Sequence, residues 1–346
     1  MSANWMASIP NNNLLLKEIT MPGSHDAGVS RVHGSNKLAG WVVGKSGYVC
    51  QEYDIAGQLN AGSRFFDVRF SMKSGVPTTV HATAGSGGWG ESAESIFKAI
   101  KAHLDTNDQE IVIVRVSHTD ATAGAAVYRE QLKHLGARAH ACPPQTNLAM
   151  QKLEDLRGKV IVAYASDAIA SPRSSDGQIR FGKASKESRL GIVTCGEYAN
   201  SNDMALINYK QLKRTNEHRE GKCNDHSGDD HLFMLYWQMT GGDVGTNTTK
   251  GGDLPDDPGS LVKANGTHYN LPFLLKWLNG DVAGSATHGH TFSSNSTQSY
   301  PKPDVNRCEW VPNVINLDFV NAEVCSRIIA FNEAKLRAAG KWDADA

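Results

Sequence analysis

His25 and Asp26 stand side by side where an apolar run, Leu14 to Ile19, gives way to Met21-Pro22-Gly23-Ser24. An imidazole next to a carboxylate can move protons near neutral pH, although Asp after His also serves as an ordinary cap or turn pair. Four more residues strengthen the chemical reading. Asp67 and Arg69 are two apart in Arg64-Phe65-Phe66-Asp67-Val68-Arg69-Phe70, so they project to the same side of a strand. His81 ends Thr78-Thr79-Val80-His81, and Asp318 lies in Val314-Ile315-Asn316-Leu317-Asp318-Phe319. Two histidines, each with an available carboxylate and with an arginine between them, suit acid–base phosphoryl transfer. One imidazole takes a proton from the nucleophile, the other protonates the leaving oxygen, and the cation holds charge on the phosphorus-bound oxygens. Taken singly, Asp67 and Arg69 read equally as a buried ion pair and His81 as a core histidine.

Short β-branched runs alternate with helical patterns, as a parallel sheet requires. Strands are expected near Leu16–Met21, Arg64–Phe70, Thr78–His81, Ile111–Ser117, Val160–Tyr164, Gly191–Cys195, Leu232–Trp237 and Val314–Phe319. Helices are expected at Ile55–Leu59, Ser92–Leu104, Ala125–Leu135, Met204–Leu212 and Ala322–Leu336. Eight strands close a barrel, so the expected fold is α/β: one distorted TIM (β/α)8 barrel over residues 1–346, with irregular helices. Residues 240–266, rich in Gly, Pro and Asp, form a loop excursion after the seventh strand. Active-site residues of such barrels sit at the C-terminal ends of strands, where His25, Asp26, Asp67, Arg69, His81 and Asp318 all fall.

Composition excludes several classes. The net charge of −1 over 346 residues, with no basic block, provides no footprint for nucleic acid. No apolar run approaches the ~20 residues of a membrane span, and the first residues lack a signal-peptide pattern. None of the six cysteines forms a CxxC pair, so spacing signals neither a zinc site nor a redox motif. Abundant Gly, Ser, Thr and Asn suit a secreted protein, with a cytoplasmic one as the alternative. In a secreted chain, disulfides such as Cys195 to Cys223 or Cys308 to Cys325 are open, and six buried thiols are the competing reading.

Pro22-Gly23-Ser24-His25-Asp26, Gln51-Glu52-Tyr53-Asp54-Ile55 with Gln58-Leu59, Ala61-Gly62-Ser63-Arg64-Phe65-Phe66-Asp67-Val68-Arg69, Val80-His81 and Leu317-Asp318-Phe319 together resemble the X-domain of phosphatidylinositol-specific phospholipases C, the bacterial branch in particular. The resemblance implies a distorted TIM barrel that cleaves phosphatidylinositol to diacylglycerol and inositol 1,2-cyclic phosphate. It assigns His25 as general base supported by Asp318, His81 as general acid partnered by Asp26, Arg69 as the phosphate-contacting cation and Asp67 as a supporting carboxylate. Calcium-dependent relatives carry carboxylates where Arg69 stands, so no cofactor or metal is expected, with Arg69 in place of Ca²⁺. On strand four Ser117 aligns where relatives place a lysine or glutamate, with Arg115 and His118 beside it. Arg180, Glu197 and Tyr198 fall near the family's headgroup contacts.

Trp41 and Trp89 are the candidates for membrane contact, because an indole ring is apolar with one polar N–H. The expected partner is phosphatidylinositol at a transiently bound membrane surface, for a monomer that binds no nucleic acid. A glycerophosphodiester phosphodiesterase and a catalytically silent inositide-binding barrel are the alternatives; the first would need a Glu-rich metal site after strand two, and the second would be expected to lack one histidine.

Overall fold

The structure, a computed structural model, describes residues 3–31, 49–83, 86–183, 190–199, 204–223, 226–227, 230–237, 274, 284–288, 296–300 and 312–343. Trp41 and the 240–266 excursion lie outside the described residues. Eight parallel strands close a barrel: β1 (Met21–Ser24), β2 (Phe65–Val68), β6 (Val112–Val116), β7 (Val160–Tyr164), β8 (Ile179–Lys183), β9 (Ile192–Cys195), β12 (Leu232–Tyr236) and β15 (Val314–Leu317), the last pairing back onto β1. Between β2 and β6 stands an antiparallel sheet of β3 (Phe70–Lys73), β4 (Val76–Thr83) and β5 (Ser86–Ser92). Two short pairs complete the strands, β10 (Lys222–Cys223) with β11 (His226–Ser227) and β13 (Gly284–His288) with β14 (Ser296–Tyr300).

Three expectations need correcting. The apolar run Leu14–Ile19 is not the first strand; Leu16–Glu18 is a 3₁₀ turn, and the strand is the Met-Pro-Gly-Ser that follows. Pro22 is tolerated because β1 pairs with β2 only from Gly23 onward. Gly23 is required because a Cβ there would lie 2.8 Å from a Val314 methyl. Thr78–His81 is not a barrel strand but part of β4, in the hairpin sheet. The missing barrel strand is β8, whose Ile-Arg-Phe-Gly-Lys alternates buried and partly exposed residues and is short enough to read as loop.

Helices pack on the outside in the order α1 (Ile55–Ala61), α2 (Ala93–Thr106), α3 (Ala121–Leu135), α4 (Leu153–Leu156), α5 (Met204–Arg219) and α6 (Ala322–Ala338). Asp54, Ser92, Asp120 and Asn321 cap α1, α2, α3 and α6 by accepting from a first-turn backbone N–H. α2 buries Ile96, Phe97, Ile100 and Leu104 against Val112, Val114 and Val116 of β6. The opposite strand faces, Phe65, Ile113, Ile161, Ala163, Ile179 and Met234 among them, fill the barrel interior.

The N-terminal pole of the barrel is tied by a buried ion pair. Arg64 Nε lies 2.6 Å from Glu110 Oε2, and both side chains are inaccessible to solvent. Arg64 also donates to the carbonyls of Leu59, Ser63 and Ala3, while Glu110 Oε1 accepts from the backbone of Met6 and Ala7. Each charge is thus satisfied by the chain's first turn and by α1. Replacing Arg64 by Leu strands Glu110 without its counter-charge and is expected to cost about 3–5 kcal/mol of unfolding free energy, read by urea denaturation.

Candidate active site

The C-terminal ends of the strands gather the polar residues. His25 follows β1, Asp67 lies in β2 with Arg69 just beyond it, Arg115 lies in β6 with Ser117 just beyond it, Tyr236 ends β12 and Asp318 follows β15. The β3–β4–β5 sheet folds back over this mouth and delivers His81 to it. Three non-glycine residues at these strand ends, Asp26, His118 and Phe319, have φ of +42°, +49° and +52°. Left-handed backbone is costly for such residues, and its clustering at one rim marks a constrained site.

His25 Nδ1 lies 2.8 Å from Asp318 Oδ1, so the ring donates there and Nε2 carries the lone pair. That assignment agrees with Arg69, whose Nη2 lies 3.3 Å from Nε2 and can only donate. Burial pushes the His25 imidazolium down, but Asp26, Asp318 and the Asp318 hydrogen bond outweigh it, and its pKa lies above the ordinary 6.5. Asp318 is lifted above the usual carboxylate range by burial, against the pull of His25. Imidazole is the stronger base of the two, so the shared proton belongs to His25.

Asp26 lies among a guanidinium and two imidazoles. Arg69 Nε is 2.9 Å from Oδ1, His25 Nε2 is 3.4 Å from Oδ2 and His81 Nε2 is 3.7 Å from Oδ2. The Arg69 contact is an ion pair without hydrogen-bond alignment. Burial opposes the Asp26 charge, yet His25, Arg69 and His81 hold its carboxyl down to about 2. Asp67 is not the counter-ion of Arg69. Its oxygens accept from Ser117 Oγ at 3.2 Å and Tyr198 Oη at 2.7 Å, with Arg115 Nη1 3.5 Å away. Burial pushes Asp67 up, but Arg115 and Arg69 keep it below the usual range.

The fold therefore unites His25, Asp26, Asp67, Arg69, His81 and Asp318, and brings Arg115, Ser117 and Tyr198 in behind Asp67. Two expected contacts fall elsewhere. Arg180 is on the face of β8 opposite Ile179 and Phe181, which point into the barrel, and Glu197 pairs with Lys183 and Arg214 on an exposed surface. Trp89 is half-buried on β5 with Lys73 Nζ 5.6 Å from its ring.

Several residues at the mouth escape a reading by sequence. Tyr236 Oη accepts from Arg115 and its ring lies 4.0 Å from that of Tyr198, which in turn meets the His25 ring edge-on. Gln51 is fully buried; Nε2 donates to the carbonyls of His25 and Leu317 and Oε1 accepts from the Val320 N–H, joining the loops that carry His25 and Asp318. Cys50, just before it, places Sγ 3.2 Å from His81 Nδ1. The one available signal was the Gln51-Glu52-Tyr53-Asp54 run itself.

A calcium ion takes six to eight oxygen ligands. Here Asp67 is engaged by Ser117, Tyr198 and Arg115 and Asp318 by His25, so the residues present do not supply such a set of oxygens. Cysteine chemistry also departs from expectation. Cys325 is a thiol, so Cys308 to Cys325 is not a disulfide, whereas Cys195 is disulfide-bonded. Cys195 also lies with His218 and His231 in a group of metal-ligand geometry, but its sulfur is already committed to that bond.

Comparison with known proteins adds to this geometry. Residues 18–163 match the family model PI-PLC X 1. The human PI-PLC X domain-containing protein 2 is 30% identical over 138 residues, 34% of this chain and 44% of that protein's length. The phosphatidylinositol-specific phospholipase C of Listeria monocytogenes superposes with a TM-score of 0.59 at 14% identity, covering 95% of this chain and 98% of that one. A mutant of the Staphylococcus aureus enzyme gives 0.57 at 15% identity, covering 96% and 98%. The family match ends before Asp318, and it is the shared barrel that brings this residue to His25. Residues 18–163 are thus similar to a phosphatidylinositol-specific phospholipase C X domain, in a chain whose barrel has the fold of the bacterial enzymes.

Proposed function

We propose that this protein is a phosphatidylinositol-specific phospholipase C working by histidine general base and acid without a metal. The observation that carries this reading is the arrangement of His25, locked by Asp318 with its Nε2 lone pair turned toward Arg69, with His81 across Asp26. The inositol 2-hydroxyl loses its proton to His25 Nε2 as its oxygen attacks phosphorus. The bond from phosphorus to the diacylglycerol oxygen breaks, and His81 protonates that oxygen. Inositol 1,2-cyclic phosphate remains. Arg69 holds the phosphate oxygens and, by its charge, favours the developing alkoxide. Asp26 keeps Arg69 and His81 in place, and Asp318 stabilises the imidazolium formed at His25.

The substrate is a membrane lipid, so the protein works at a bilayer surface. Among the described residues no helix is long and apolar enough to cross a membrane. The hairpin sheet that holds His81 also holds Trp89, which suits it to touch the interface. A disulfide at Cys195 favours an oxidising compartment and therefore secretion.

Phosphorus NMR with phosphatidylinositol vesicles in excess EDTA tests the reading. A cyclic phosphate signal is expected, with turnover roughly 10²- to 10⁴-fold lower in His25→Ala or in His81→Ala. Dependence on added Ca²⁺, or equal turnover in either variant, would overturn it. The pH profile provides a second check. His25 must be neutral to act as base, so kcat/KM should rise with pH through a value above 6.5. Asp318→Asn removes a charge and a hydrogen bond that hold this pKa up, so the acid limb should move to lower pH while the maximum falls. An unmoved limb would show that Asp318 does not act through His25.

A further inference from the structure

Cys50 belongs to neither acid–base pair, yet it lies between them. Its Sγ is 3.2 Å from His81 Nδ1 and 3.9 Å from Asp26 Oδ2. Cys50, His81 and Asp26 each offer one ligand atom within 4.8 Å of the others, and Cys50 forms a second such group with His25 and Asp318. Tetrahedral zinc, with bonds of about 2.3 Å to sulfur and about 2.0–2.1 Å to nitrogen or oxygen, sets its ligand atoms roughly 3.4–3.6 Å apart. The separations at Cys50 bracket that range, so small side-chain rotations close the set around an ion.

The donor set also discriminates. A hard cation finds too few oxygens here, whereas a thiolate, an imidazole and a carboxylate are the ligands that zinc and cadmium favour. Charge is compatible as well. A Cys50 thiolate with Asp26 and Asp318 supplies three negative charges and Arg69 one positive, so one divalent ion leaves the group neutral with both histidines uncharged.

We propose that Cys50, His81 and Asp26 form a site for one thiophilic divalent cation of the zinc and cadmium type, and that its occupancy switches off the catalytic centre. The ion replaces the thiol proton, which leaves to solvent as the metal–sulfur bond forms, and it takes the Nδ1 lone pair of His81. An imidazole so held cannot approach the leaving oxygen. The inhibitory effect rests on the proposed function, whereas the binding site does not.

Protein stripped with EDTA and then freed of chelator is titrated with Cd²⁺, followed by calorimetry and by sulfur-to-cadmium charge-transfer absorption. One equivalent is expected to bind and to develop the thiolate band. Cys50→Ser should abolish the band and weaken binding on the order of 100-fold or more. Cys142→Ser and Cys325→Ser should leave both unchanged. His81→Ala, at a partly exposed position, provides a second variant, expected to bind at least about tenfold more weakly with the band retained. Absence of a band in the wild type, or its persistence in Cys50→Ser, would overturn the site. Cleavage of phosphatidylinositol should fall in step with Cd²⁺ occupancy and return with EDTA; full activity at saturation would overturn the switch. A Cys50-dependent band in a protein that never cleaves the lipid would refute the phospholipase reading alone. Cleavage in EDTA with no such band would refute the metal site alone.

Discussion

The structure of the mouth depends on one buried carboxylate. A charged Asp26 in the protein interior needs polar and cationic groups around it, and Arg69, His25 and His81 provide them from three different segments of chain. The requirement works both ways. Arg69 is held at the barrel rim because Asp26 is there, and the hairpin sheet keeps His81 close because the same carboxylate attracts it. The left-handed backbone at Asp26 turns the side chain toward these partners, a conformation that aspartate tolerates better than most residues.

Around this charge the barrel separates two kinds of buried ion pair. At the N-terminal pole Arg64 and Glu110 are sealed, every polar atom engaged by backbone or by each other, and their role is to tie the first turn to the barrel. At the C-terminal mouth the pairs are looser and share partners. Arg69 faces Asp26 without hydrogen-bond alignment while its Nη2 reaches His25. Incomplete pairing of this kind leaves hydrogen-bonding capacity open at the mouth, which the sealed pair does not. The hydroxyls of Tyr198 and Tyr236 grade one zone into the other, donating to Asp67 and accepting from Arg115 Nη1 respectively.

Most of the site was legible because barrel chemistry collects at strand ends, and a histidine, arginine or aspartate closing a β-branched run stands out. His25, Asp67, Arg69 and Asp318 are of that kind. The errors have equally local causes. Pro22 and Gly23 look like a strand stop, but packing against Val314 needs a residue with no Cβ, so the strand runs through them. β8 alternates as an edge strand would, yet it pairs on both sides and supplies Phe181 to the interior, beneath the Arg115 guanidinium. Arg180 reads as a headgroup contact only if the parity of that strand is unknown.

The sequence alone showed which groups could carry protons and charge, because two imidazoles, an arginine and several carboxylates are covalent facts. It also determined the helices, whose caps and apolar stripes are encoded within a few residues of one another. Local pattern does not say which carboxylate meets which imidazole; the resemblance implied Asp318 for His25, and the tertiary structure supplies the contact. Asp26 is next to His25 in the chain, but Nδ1 donates its hydrogen bond to Asp318, 293 residues away. Nor could spacing reveal that Cys50 lies against His81, or that Gln51 joins the two loops bearing His25 and Asp318. Such pairings arise from barrel closure, in which the last strand meets the first, and no local pattern records them.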